Sequence, residues 1–160
     1  MNKVNGKQAS FAPVREDGSR ITICYGLKKL SGKLYEWLEV YLPKKQMSQL
    51  TFADVKAAII ADIDERVKAQ IIGGMMWNGR PVWLSIENQL NFSNATAPVT
   101  LKIGEQEDGT AVYEDFETEE KLTAFCAACN AHKQNALTAG WAEKDGIDWT
   151  PYEDYFKSEA

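Results

Sequence analysis

Six apolar residues spaced by three and four, Phe52, Val55, Ile59, Ile63, Val67 and Ile71, constrain this chain more than any other feature. That spacing returns to one side of a helix at every turn, so it predicts an amphipathic helix over residues 51–72 whose stripe must be covered by other elements. Thr51 stands where an N-cap belongs, and Asp54 lies three residues on, close to a capping box. Gly73-Gly74 supplies the stop.

Beyond that helix the chain is punctuated by turn chemistry. Met75-Met76-Trp77 and Pro81-Val82-Trp83-Leu84 flank Asn78-Gly79, a pair that favours the tight turn of a β-hairpin. Ser85, with Asn88 three positions later, predicts a short helix over Ile86–Phe92, and Pro98 closes its exit loop. Val99–Ile103 and Ala111–Phe116 bracket Asp108-Gly109 and predict a second hairpin. Thr118 then caps a last long helix with Glu119 and Glu120 in its first turn, where acids complement the helix dipole. Its inner face is expected to hold Leu122, Phe125, Cys129, either His132 or Lys133, and Ala136, with Gly140 as its end. The aromatic and acidic tail from Trp141 to Phe156 is expected to fold back.

Upstream, residues 1–20 read as a flexible lead-in. Ile21–Tyr25 and Leu34–Leu42 are rich in β-branched and aromatic residues and predict antiparallel strands. A short helix over 34–42 remains open, because Glu36 and Glu39 are also spaced by three; Pro43, Lys44 and Lys45 end the element either way. The fold class is therefore α+β: two long helices, a short helix and two β-hairpins, plus an N-terminal antiparallel β extension. At 160 residues the chain can bury a core without disulfides or metals.

Charge divides the sequence unevenly. Residues 1–48 hold nine basic and four acidic residues, whereas residues 49–160 hold nine basic and nineteen acidic. The expected organisation is a basic N-terminal arm over 1–48 and an acidic body over 49–160. An arm docking on the body of a neighbouring chain would give salt-sensitive self-association of head-to-tail type. The first fourteen residues lack the apolar run of a signal peptide, and no stretch approaches the about 18 apolar residues of a membrane helix. Three cysteines, an odd number, argue against a closed disulfide framework. These features point to the cytoplasm and to no membrane partner.

Candidate chemistry is sparse. Cys126, Cys129 and His132 step by three along a helix, so they fan across its surface instead of enclosing an ion. Cys126 and Cys129 read as small apolar core residues on an Ala-rich face and His132 as a surface or partner-satisfied histidine, and no metal or other cofactor is expected. His132 is the only histidine, and no nucleophile elbow accompanies it. Asp62, Asp64 and Glu65 read as the solvated side of the first helix, and Asp145, Asp148, Glu153 and Asp154 as a solvated tail. Gly73-Gly74 lacks the remaining residues of a phosphate loop. No catalytic residue is assigned and no enzyme is expected. Tyr25, Lys28, Lys29, Lys33, Tyr35 and Trp37 interleave cations with aromatics as single-strand nucleic-acid binders do, yet the acidic pI near 5.0 argues against a nucleic-acid partner. The remaining candidate site is the hairpin Trp77–Trp83 with the amide-rich segment 85–92. Trp77, Trp83, Asn88, Gln89 and Asn91 could meet a polar ligand such as a carbohydrate, or a partner. The amides serve equally well as internal ties between the hairpin and its helices, with both tryptophans as packing residues.

The Ile-rich helix 51–72, the Gly73-Gly74 stop, the hairpin Trp77–Trp83, the pattern Ser85-x-Glu87-x-Gln89-x-Asn91, the second hairpin and a helix with His132-Lys133 succeed one another in order. Together, over residues 51–140, they resemble a domain family of unknown function found in phage and prophage tail-associated proteins. The resemblance implies a virion, tail or tail-assembly context and a structural or interaction role with a protein partner. It supplies no catalytic residues.

Overall fold

The computed structural model describes residues 2–43 and 50–158, without the side chain of Ser158. Lys44, Lys45 and the 48/49 boundary between arm and body lie outside the described residues. The backbone divides into two compact units, one made of Met1–Asp64 with Glu143–Ala160 and the other of Glu65–Ala142. The first holds twelve basic and thirteen acidic residues, the second six and ten. The basic stretch at the start of the sequence thus shares its unit with acids from 54–64 and from the tail.

The first unit is built on a four-stranded antiparallel sheet in the order β1-β4-β3-β2. Its strands are β1 (Asn2–Gly6), β2 (Val14–Asp17), β3 (Arg20–Ser31) and β4 (Leu34–Pro43), with a turn of 3-10 helix at Gln8–Ser10. Residues 34–42 are therefore a strand, paired with β3 through Ile23↔Val40 and Tyr25↔Leu38. Residues 1–20 are not a loose lead-in. Asn2–Gly6 pairs with Glu39–Tyr35, Val14 is buried, and the Phe11 ring meets Trp37 edge-on at 6.1 Å. Gly6 lets the Trp37 indole cross β1, since a Cβ there would stand 2.6 Å from the ring. One sheet face carries Ile21, Ile23 and Tyr25, all buried. The Tyr25 hydroxyl donates to Asp62 at 2.6 Å, which sets the first half of helix α1 (Phe52–Ile72) on that side. Asp62 is thus a half-buried acceptor and not part of a solvated face. Val55, Ile59 and Ile63 of the stripe are buried, and helix α4 (Thr150–Ser158) adds buried Tyr152, whose hydroxyl donates to the Cys24 carbonyl at 2.7 Å.

In the second unit, β5 (Met75–Trp77) and β6 (Arg80–Val82) form the first hairpin, turning at Asn78-Gly79. Helix α2 (Ile86–Asn94) comes next, then the hairpin of β7 (Val99–Glu105) and β8 (Ala111–Phe116), then helix α3 (Glu119–Asp145). The hairpins approach each other through one backbone hydrogen bond, Trp83 N–H to the Ile103 carbonyl at 2.8 Å. Gly104 permits that approach, because a Cβ there would lie 2.3 Å from the Pro81 carbonyl oxygen. Because α3 runs on to Asp145, Gly140 does not end it. Gly140 is buried within the helix, where tertiary burial overrides its poor helix propensity. The core centres on Phe125, which meets the rings of Trp77, Phe92 and Phe116 at 5.4, 5.0 and 4.9 Å. Among the described residues no helix is long and apolar enough to cross a membrane.

Candidate functional site

The best-formed concavity of the second unit lies between α2 and α3. Its position comes from local chemistry. Ser85 Oγ accepts the Asn88 N–H at 3.2 Å and so fixes where α2 begins. Asn88 Nδ2 donates to the Trp83 carbonyl at 3.0 Å, and Gln89 Nε2 donates to the Leu84 carbonyl at 2.8 Å. Two of the three candidate amides are therefore occupied in bending the chain from β6 into α2. Asn91 is exposed.

The cleft encloses about 240 Å³, with Leu84, Phe92, Cys126 and Cys129 among its apolar walls and Gln89, Asn130 and Lys133 as polar groups. Lys133 Nζ reaches Gln89 Oε1 at 3.5 Å. Burial, with Cys126 beside it, pushes the Cys129 thiol up to about 11, and burial also raises Cys126. Both thiols are protonated at neutral pH, which suits wall residues and not nucleophiles. Cys126 Sγ donates to the Phe92 carbonyl at 3.5 Å, and His132 Nε2 lies 3.2 Å from the Gln70 carbonyl. Among the described residues no three His, Cys, Asp or Glu side chains converge as a metal-holding group.

The rim is apolar. Ile86 and Leu90, which line the cleft, are 64% and 56% exposed and sit one helical turn apart on α2; Trp83, 43% exposed just before α2, does not line it. The two tryptophans do not act together. Trp77 pairs with Arg80, its ring packs on Phe125, and its Nε1 is buried without a hydrogen-bond partner among the described residues. Trp83 comes directly after inward-facing Val82 and so points to the opposite face. The expectation that both pack in the core holds for Trp77 alone. Ile86 and Leu90 are site residues that the sequence pattern did not single out, and Lys133, expected as a candidate for the inner face of the last helix, joins them at the cleft. The spacing of four between Ile86 and Leu90 was the available signal, masked by the amides that lie between them.

A second cluster lies on the other face of the first unit's sheet. Glu39 Oε1 accepts from Arg15 Nη2 at 2.9 Å and Trp37 Nε1 at 3.1 Å, and Oε2 accepts from the Tyr41 hydroxyl at 2.9 Å. Burial acts to raise the Glu39 pKa, but the hydrogen bonds from Trp37, Tyr41 and Arg15 outweigh it and leave it lowered. Arg15 Nε also donates to Asp17 at 2.9 Å, and Thr22 Oγ1 donates to the same oxygen at 2.7 Å. Burial pushes the neighbouring Cys24 thiol up to about 11. The donors here point inward at the two carboxylates, apart from Arg15 Nη1, which donates to the Cys24 sulfur at 3.4 Å, so the cluster ties strands together.

No protein-family model matches this chain, and neither a curated protein nor a solved structure does.

Proposed function

We propose that this chain is a non-enzymatic interaction protein that docks on a protein partner through the α2 surface. One observation carries the reading: two large apolar side chains one helical turn apart, Ile86 and Leu90, stand exposed at the edge of an apolar-walled cleft. Contiguous exposed apolar surface of this kind marks interaction sites. The thiols at the cleft are protonated, and the Glu39 cluster is saturated by internal donors, so neither offers a reactive group. The resemblance adds the context, a structural component of a phage or prophage tail or its assembly, acting in the host cytoplasm or in the virion. Self-association is the simplest form of such docking.

The alternative, a carbohydrate or polar-ligand module built on Trp77, Trp83, Asn88, Gln89 and Asn91, has less to draw on. Trp77 faces the core, and the Asn88 and Gln89 amides hold backbone carbonyls.

A photo-crosslinking residue at Leu90 tests the proposal, with exposed Gln134 as the control position. Crosslinking from position 90 into one defined protein or a second copy is expected, with loss on Ile86→Asp in a variant that still shows the native circular dichroism. Equal labelling from both positions would sink the reading.

A further inference from the structure

The end of the β3–β4 hairpin, residues 26–35, carries an independent feature. Strand β2 pairs with β3 only as far as Ile23, and β1 pairs with β4 only as far as Tyr35. Beyond both limits, over residues 30–34, the hairpin is two strands alone, and opposite Lys28 and Lys29 its β4 side is still paired with β1. It holds three leucines, Leu27, Leu30 and Leu34, between 37% and 44% exposed, and three lysines, Lys28, Lys29 and Lys33. The segment contains no acid. The nearest in sequence, Glu36, is held by Lys3 at 2.8 Å. Lys7 joins Lys33, Gly32 and Tyr35 around a shallow depression of about 340 Å³.

The register decides what such an end can meet. Lys28 pairs with Glu36 and Lys29 with Tyr35, so the two lysines lie on opposite faces of the hairpin. Cations thus surround the tip and do not line one side of it. A flat protein surface would engage one face and leave the other charge unpaired. Nucleic acid would use a series of stacking aromatics, but Tyr25 and Trp37 are buried, which leaves half-buried Tyr35 of that set beside three exposed leucines. A layer of anionic headgroups over acyl chains meets both requirements at once, taking the lysines on all sides and the leucines at the tip.

We infer that this hairpin end docks, tip first, on an anionic lipid bilayer surface. No described helix is long and apolar enough to span a membrane, and surface contact needs no spanning segment. The inference is independent of the α2 surface.

Co-sedimentation of the full chain with vesicles of equal parts phosphatidylglycerol and phosphatidylcholine tests it. Pelleting with these vesicles and not with phosphatidylcholine alone is expected, weakening as salt rises from about 0.1 M to about 1 M and the screening length shortens. Each lysine near such a surface is worth about fivefold, so K28Q/K29Q/K33Q should bind about a hundredfold more weakly. L27S/L30S/L34S should lose whatever binding survives high salt. All six positions are exposed, and circular dichroism checks that the variants fold. A folded chain that stays in the supernatant, a lysine variant that binds like the parent, or binding to a single-stranded oligonucleotide without binding to vesicles would overturn the inference.

Discussion

Each unit buries one glutamate, and the two are held by different means. Glu39 is 4% exposed and Glu114 is 7% exposed. Glu39 takes its hydrogen bonds mainly from neighbours in the sheet: the Trp37 indole, the Tyr41 hydroxyl and the Arg15 guanidinium. Glu114 is met by two cations that remain largely in solvent, Arg80 and Lys121, each at 2.7 Å. A carboxylate satisfied by buried neutral donors makes those donors depend on it in turn, because they have no water to fall back on. Exposed cations lose little when their partner goes, since water takes its place.

The largest effect should come from Glu39→Ala. It strands the Trp37 indole N–H and loosens Tyr41 and Arg15, a loss of about 3 kcal/mol from unsatisfied buried groups. Urea unfolding followed by far-ultraviolet circular dichroism would measure it. A loss below about 1 kcal/mol would break the contrast with Glu114.

Acid should act through the same residue. The Glu39 pKa is lowered in the fold, so its contribution is fully present above the unfolded value and is lost as pH falls through the folded one. The parent chain should therefore lose stability on descending from about pH 4.5, and Glu39→Gln should flatten that part of the curve. Identical slopes in melts across the acid range would remove Glu39 from the account.

Lys121→Ala should cost no more than about 1 kcal/mol, because Arg80 remains on buried Glu114 and the lost lysine is itself partly in solvent. High salt should shrink even this difference. The smallest effect is expected for Trp83→Ala, below about 1 kcal/mol, since surface changes away from the core cost little. Thermal melts would show whether it is silent. A steep drop would mean that Trp83 packs as a core residue and is not a surface side chain.

Features that depend on neighbours in sequence were legible. Thr51 with Asp54, Ser85 with Asn88 and Thr118 with Lys121 form caps at the positions their spacing predicts. The turns at Asn78-Gly79 and Asp108-Gly109 also stand where expected. Features that depend on distant residues were not legible. Strand β1 reads Asn-Lys-Val-Asn-Gly, with no alternation to mark it, and it is ordered by pairing with β4 and by the Trp37 ring. Glu39 finds Arg15 across twenty-four positions, a meeting no local pattern announces. The site was half legible. Parity in a two-residue hairpin assigns Trp77 and Trp83 to opposite faces, so a joint role for them is excluded by the spacing alone. The cleft could not be read, because it needs Cys126, Cys129 and Lys133 brought beside α2.

The bond from the Tyr152 hydroxyl to the Cys24 carbonyl closes across 128 positions, and it belongs to a unit assembled from two distant stretches of chain. The other unit, Glu65–Ala142, is continuous. A ribosome delivers residues at about 5–20 per second, and domains generally fold as units as they emerge. Strands β1 to β4 must therefore wait several seconds for α4, with the Cys24 carbonyl unmet by Tyr152 until then. Near the end of that interval, once Ala142 has emerged, the nascent chain carries one unit with all its residues and one still lacking α4. Helix α4 is then a clasp, and its arrival decides when the older strands become a closed body.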